Sequence, residues 1–139
     1  MKVEISTPPL GIRNNNPGNL RFLAKNPFNG QVGENKGFGV YDSMENGIRA
    51  AAKQIKKHIR TGASSIELLI TRWAPPTENN TSAYIDTVAK KLNRGQHDLL
   101  NADDPDLIFR LCQAIFFHEN GVEIPVHQIE EGVRRAFEG

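Results

Sequence analysis

Glu119 is an acid in an unusual place. Ile108, Cys112, Ile115 and Glu119 recur at helical spacing, so the carboxylate extends an apolar row. It also falls near the end of the predicted helix, where the backbone dipole is negative. Burial and the dipole both disfavour the ionised form of an acid so placed. A general acid working near neutral pH needs such surroundings. The plainer alternative is a solvated helix-end residue paired with an arginine. Three other acids compete. Glu45 sits where a capping-box acid belongs. Glu34 lies in a Gly-rich turn and Glu78 in a polar loop, and either would be the partner of a hydrolytic carboxylate pair. Neither has a burial argument comparable to that of Glu119, which favours a single-acid mechanism.

Three segments concentrate side-chain hydrogen-bonding groups: 13–21, 74–84 and 118–121. Amides both donate and accept, which suits hydroxyl and acetamido groups. Trp73 and Tyr84 offer flat apolar faces beside them. The combination reads as a sugar-binding surface, with Asn15, Asn16, Gly18, Asn19, Glu78 and Tyr84 as the candidate substrate contacts. The competing reading of 13–21 is a structural turn whose asparagines bond their own backbone. For Trp73 and Tyr84 it is core packing.

Other chemistries find little in the chain. His58, His97, His118 and His127 form no pair at metal-binding helical spacing, and no cysteine joins them. No metal or cofactor is implied. There is no phosphate-binding Gly-Lys-Ser/Thr signature and no Gly-x-Ser-x-Gly elbow. Cys112 lies in an apolar row, where burial makes a thiol inert. Asp103, Asp104 and Asp106 lack the alternating oxygen ligands of a calcium loop and fit helix capping. Lys and Arg total 17 against 16 Asp and Glu, which removes the electrostatic case for a nucleic-acid binder. The run Lys53, Lys56, Lys57 and Arg60 reads as the solvated face of an amphipathic helix. No apolar run approaches the roughly 18 residues of a membrane span. Residues 1–7 lack the apolar core of a signal peptide, so synthesis in a cytoplasm is expected.

The elements that position these groups follow from pattern. With 139 residues, 38% hydrophobic and 24% charged, the chain is sized for one globular domain. Residues 1–10 read as an arm ended by Pro8-Pro9, and 11–139 as the domain. Gly11 to Arg21 is a tight turn or looped ledge. Leu20 to Tyr41 gives short extended pieces separated by glycines: a hairpin or three-stranded sheet. Asp42-Ser43-Met44-Glu45 and Ser64-Ser65-Ile66-Glu67 are candidate capping boxes, with the acid three residues after the cap. The first opens a helix to about Arg60 with Ile48, Ala51, Ala52, Ile55 and Ile59 inward. The second opens a helix carrying Leu68, Leu69, Ile70 and Trp73, stopped by Ala74-Pro75-Pro76. A third helix has Tyr84, Ile85, Val88, Ala89 and Leu92 inward. Leu99-Leu100 is expected to tuck in. Asp104-Pro105 starts the Glu119 helix and Gly121 ends it. The last helix, about Pro125 to Phe137, turns Val126, Ile129, Val133 and Phe137 inward. The sum is about five helices and a small N-terminal β-element, an α+β domain that is mainly α.

Several of these motifs occur together, in order, in a group of phage and prophage proteins. They are Arg13-Asn14-Asn15-Asn16-Pro17-Gly18-Asn19-Leu20-Arg21, Gly37-Phe38-Gly39-Val40-Tyr41-Asp42-Ser43, Gly47-Ile48-Arg49-Ala50, Arg72 to Asn79, Ala83 to Ile85, and His118 to Gly121. The chain resembles that group over nearly its whole length. The group includes virion structural proteins and lysozyme-like peptidoglycan-cleaving domains. The order of motifs also resembles a circular permutant of goose-type lysozymes and lytic transglycosylases, with the Gly-rich sheet first and the catalytic helix near the end. The resemblance implies that Glu119 is the general acid/base. It places Ala74 to Asn80 at an Ala-Tyr-Asn segment and Tyr84 at the tyrosine of the following helix. Ala74-Pro75-Pro76 departs from Ala-Tyr-Asn, and the Gly-Leu-Met-Gln stretch usual after the acid has no match. The implied activity is cleavage of the bond between N-acetylmuramic acid and N-acetylglucosamine by a monomeric or virion-associated protein acting on the wall or periplasm. The implied alternative is a non-catalytic virion or glycan-binding protein of the same fold.

Overall fold

The computed structural model of the protein describes residues 7–76 and 80–138. In chain order these form α1 (Leu10–Arg13), β1 (Gln31–Asn35), β2 (Phe38–Tyr41), α2 (Met44–Arg60), α3 (Ile66–Trp73), α4 (Thr81–Leu92), α5 (Pro105–Asn120) and α6 (Val126–Glu138). The protein is α+β and mainly α. Helix α2 is the hub, packing against α6, α5, α3 and β2. Its row Ile48, Ala51, Ala52, Ile55 and Ile59 is buried in one cluster with Leu69, Ile70, Ile108, Leu111, Ile115 and Phe116. The α2–α6 approach is close because of Gly132: a Cβ there would stand 2.5 Å from Ile48 Cβ.

Both expected capping boxes are shifted by one residue. Ser43 and not Asp42 caps α2, its side chain accepting from Asn46 N–H, and Ser65 and not Ser64 caps α3, accepting from Leu68 N–H. Each serine has extended backbone angles, as a cap requires. Glu45 and Glu67 consequently fall one position short of the capping-box acid. Asp42 instead accepts from the Asn46 side-chain amide. Asp104 caps α5 through the N–H groups of Asp106 and Leu107, with Pro105 opening the helix and Gly121 closing it at φ 70°.

The β-element is a two-stranded antiparallel hairpin with a bulge between Gln31 and Gly33. Its two-residue turn, Lys36-Gly37, has positive φ at both positions, matching the right-handed strand twist. The third extended piece contributes only a bridge from Arg21 to Phe38. Two inward assignments are corrected: Leu99 is 79% exposed while Leu100 is buried, and Val126 is exposed. Leu68 is exposed as well, while Phe137 packs partly buried against the core. A helical turn, α1, occupies residues read as arm and loop; it packs against α5 through buried Gly11.

Candidate functional site

The Asn-rich ledge is held by its own side chains. Asn16 is fully buried and donates through Nδ2 to the carbonyls of Leu20 and Gly39, while its Oδ1 accepts from Leu20 N–H. Asn15 donates to the Tyr41 carbonyl. Asn14 receives Tyr41 N–H on its carbonyl, and its Oδ1 accepts from the Asn35 amide. Asn15 and Asn19 both adopt φ 51°, a left-handed conformation that asparagine tolerates better than most residues. The ledge thereby knits the hairpin to the helices. Gly47 permits this contact, since a Cβ there would stand 1.7 Å from the Asn15 carbonyl oxygen.

The last turn of α5 grips the same ledge. Asn120 is buried and donates to the carbonyls of Pro17 and Phe116, at 2.8 and 2.9 Å. Glu119 is half-buried, and its Oε1 accepts from Asn19 Nδ2 at 2.8 Å. The Tyr84 hydroxyl is buried and faces that carboxylate without a well-formed hydrogen bond. Burial, then the negative charge of Glu119, push the phenol far above its ordinary range. His118 is exposed and stacks on the Tyr84 ring, with centroids 3.7 Å apart.

Glu119 opens into a groove of about 440 Å³. Gly18, Asn19, Leu20, Arg21 and Leu23 line it from the ledge, with Phe28 and Phe38 from the hairpin region. Gln31 holds Leu23 in place by bonding both its N–H and its carbonyl. The other wall comes from α2, with Gln54 and His58, and from the end of α3, with Arg72, Trp73, Ala74 and Pro75. Trp73 is half-buried and lies against Gly18, where a Cβ would come within 2.9 Å of Cζ2. His58 meets Trp73 edge-on and shares a 2.9 Å hydrogen bond with Gln54. Burial, then Arg72 and Lys57, hold its imidazole below the usual value. Among the described residues Glu119 is the only carboxylate in the groove.

The expected contacts thus separate. Glu119, Asn19 and Gly18 share the groove. Asn15 and Asn16 build the ledge and spend their amides on backbone, and Tyr84 lies buried behind Glu119. Glu34 is exposed on β1, away from the groove, and Glu78 lies outside the described residues. Gln54 was not singled out, His58 was weighed only as a metal ligand, and Asn120 and Arg72 appeared only within the 118–121 segment and the Arg72 to Asn79 motif. The sequence signal for Asn120 was its place directly after Glu119; His58 and Gln54 carry none, being four apart on a helix that reads as scaffold. Among the described residues no group of histidines, cysteines and acids is placed to hold a metal ion, and no helix is long and apolar enough to cross a membrane.

No protein-family model matches the chain. The chain is 30% identical to Protein P5 of Pseudoalteromonas phage PM2 over 143 residues, covering 98% of this chain and 87% of P5. It belongs to the family of that protein.

Proposed function

We propose that this protein is a peptidoglycan-cleaving muramidase, a lytic transglycosylase that cuts the β-1,4 bond between N-acetylmuramic acid and N-acetylglucosamine. One observation carries the reading: a half-buried carboxylate, Glu119, the only one among the described residues there, opens into a groove walled by Trp73, Phe38 and amide side chains. The aromatic faces suit the apolar faces of sugar rings, and the amides suit their hydroxyl and acetamido groups. Asn19 fixes the carboxylate by one oxygen and leaves the other for a substrate proton. The protonated acid donates to the departing glycosidic oxygen. As the conjugate base it then takes the proton of the sugar's own 6-hydroxyl, whose oxygen closes on the anomeric carbon to give a 1,6-anhydro product. One group serving as acid and then base needs no second carboxylate. Membership of a phage protein's family is compatible with virion association; on this reading the protein is made in the host cytoplasm and acts, free or virion-associated, on the bacterial wall.

The test is release of soluble muropeptides from purified sacculi, together with turbidity loss of permeabilised Gram-negative cells. Glu119→Gln keeps the Asn19 contact through its amide oxygen and should leave the thermal midpoint within a few degrees while abolishing release. Retained release removes Glu119 from the mechanism. Mass spectrometry of the products distinguishes anhydro from hydrolysed ends. If the wild-type protein binds sacculi without releasing anything, the protein is a glycan-binding virion component.

A further inference from the structure

Arg72 opens the Arg72-Trp73-Ala74-Pro75-Pro76 motif and stands in the groove wall with no part in the acid/base chemistry. Its guanidinium is moored to the end of α2: Nη1 donates to the His58 carbonyl and Thr61 Oγ1, and Nη2 to the Thr61 carbonyl at 3.0 Å. Each of these partners is a neutral oxygen. The contacts fix the position of the charge and do not cancel it. Gly62, at φ 113°, brings its backbone close to the same guanidinium. The field of Arg72 reaches into the groove, where it is one of the causes that keep the His58 imidazole low. The groove therefore sets a positioned cation on the wall beside Trp73, in a chain whose net charge is only +1.

We propose that Arg72 is a specificity residue that reads a carboxylate on the substrate, so that the groove prefers glycans bearing anionic substituents over neutral N-acetylglucosamine chains. A planar guanidinium whose hydrogen-bond partners are all neutral oxygens keeps its full charge, which suits a carboxylate, either of a lactyl group or of a peptide attached to it. Trp73 next to Arg72 offers a flat face for the sugar that carries the substituent. The inference deepens the muramidase reading and rests on it, but binding tests it separately from cleavage.

The experiment uses the full chain with Glu119→Gln, so that ligands stay intact, and titrates three probes by calorimetry. These are chitotetraose, the alternating N-acetylglucosamine–N-acetylmuramic acid tetrasaccharide with free lactyl carboxylates, and the same tetrasaccharide with stem peptides. At least one carboxylate-bearing probe should bind roughly two- to fivefold tighter than chitotetraose, the range expected of a partly exposed charge pair. Which of the two does so identifies the carboxylate. Adding Arg72→Gln should erase the margin and leave chitotetraose binding nearly unchanged. A general loss of packing would weaken all three probes alike, and that outcome overturns the proposal. So does a margin that survives Arg72→Gln. If that variant does not fold, the margin in the parent must shrink between low and high salt, and a salt-independent margin refutes the role of charge. Lysis by the wild-type protein with no margin in binding would leave the muramidase reading standing and remove this inference. A margin without lysis would do the reverse.

Discussion

Removing the Asn19 side chain separates what holds Glu119 from what holds the ledge. The Asn19 amide makes one hydrogen bond to a half-buried carboxylate, a type of contact worth about 1.5 kcal/mol or more. Its Oδ1, however, is buried with no partner, which costs about 1 kcal/mol. Asn19→Gly loses both at once and keeps the φ of 51° available. The two terms nearly cancel, so unfolding free energy should fall by less than about 1 kcal/mol. Asn19→Ala loses the same groups and keeps a Cβ in the left-handed region without asparagine's tolerance of it, so it should be about 1 kcal/mol less stable than the glycine variant. The effect on the proposed catalysis is different. An untethered carboxylate samples rotamers that miss the substrate oxygen, and muropeptide release should drop on the order of tenfold in both variants. Urea denaturation gives the stabilities, and release from sacculi gives the rates. A double-mutant cycle of Asn19→Gly with Glu119→Ala should show a coupling of about 1 kcal/mol. Zero coupling, or a glycine variant that releases muropeptides at the parental rate, would refute the claim that Asn19 positions Glu119.

Gly47→Ala should be far more damaging than an ordinary helix substitution, because its Cβ would overlap the Asn15 carbonyl oxygen at 1.7 Å; a loss of about 3 kcal/mol is expected by urea denaturation, in place of the usual gain of a helical Gly→Ala change. Tyr41 is buried with an unpartnered hydroxyl, so Tyr41→Phe should be neutral or stabilise by about 1 kcal/mol in thermal unfolding. Burial also pushes the Tyr41 phenol up to about 12. Since the unfolded chain ionises near the ordinary 10.0, the fold keeps this contribution below that pH and loses it as pH rises toward 12. Stability measured across that window should fall less steeply in Tyr41→Phe than in the parent.

Local chemistry wrote much of this protein plainly. Asp104, Pro105 and Gly121 mark the ends of α5 because caps and left-handed terminators act over a single turn. Apolar spacing named the buried rows of α2, α4 and α5 because a helix repeats its faces regularly. The hairpin and the oddity of Glu119 were legible on the same short scale. What a residue meets across the chain was not. The pattern could not tell Leu99 from Leu100, since in an irregular linker only the surrounding packing decides which leucine is covered. The serine that caps each helix was off by one, because neighbouring residues in both motifs are competent and the entry angle of the chain selects between them. The ledge asparagines look identical in sequence, yet Asn16 is spent on Leu20 and Gly39 while Asn19 reaches Glu119. The sequence alone supplied a helix with an acid at its end and a loop rich in amides. Only the tertiary structure, by packing α5 against that loop and setting α2 and α3 opposite, decided which amide touches the acid and which side chains share its groove.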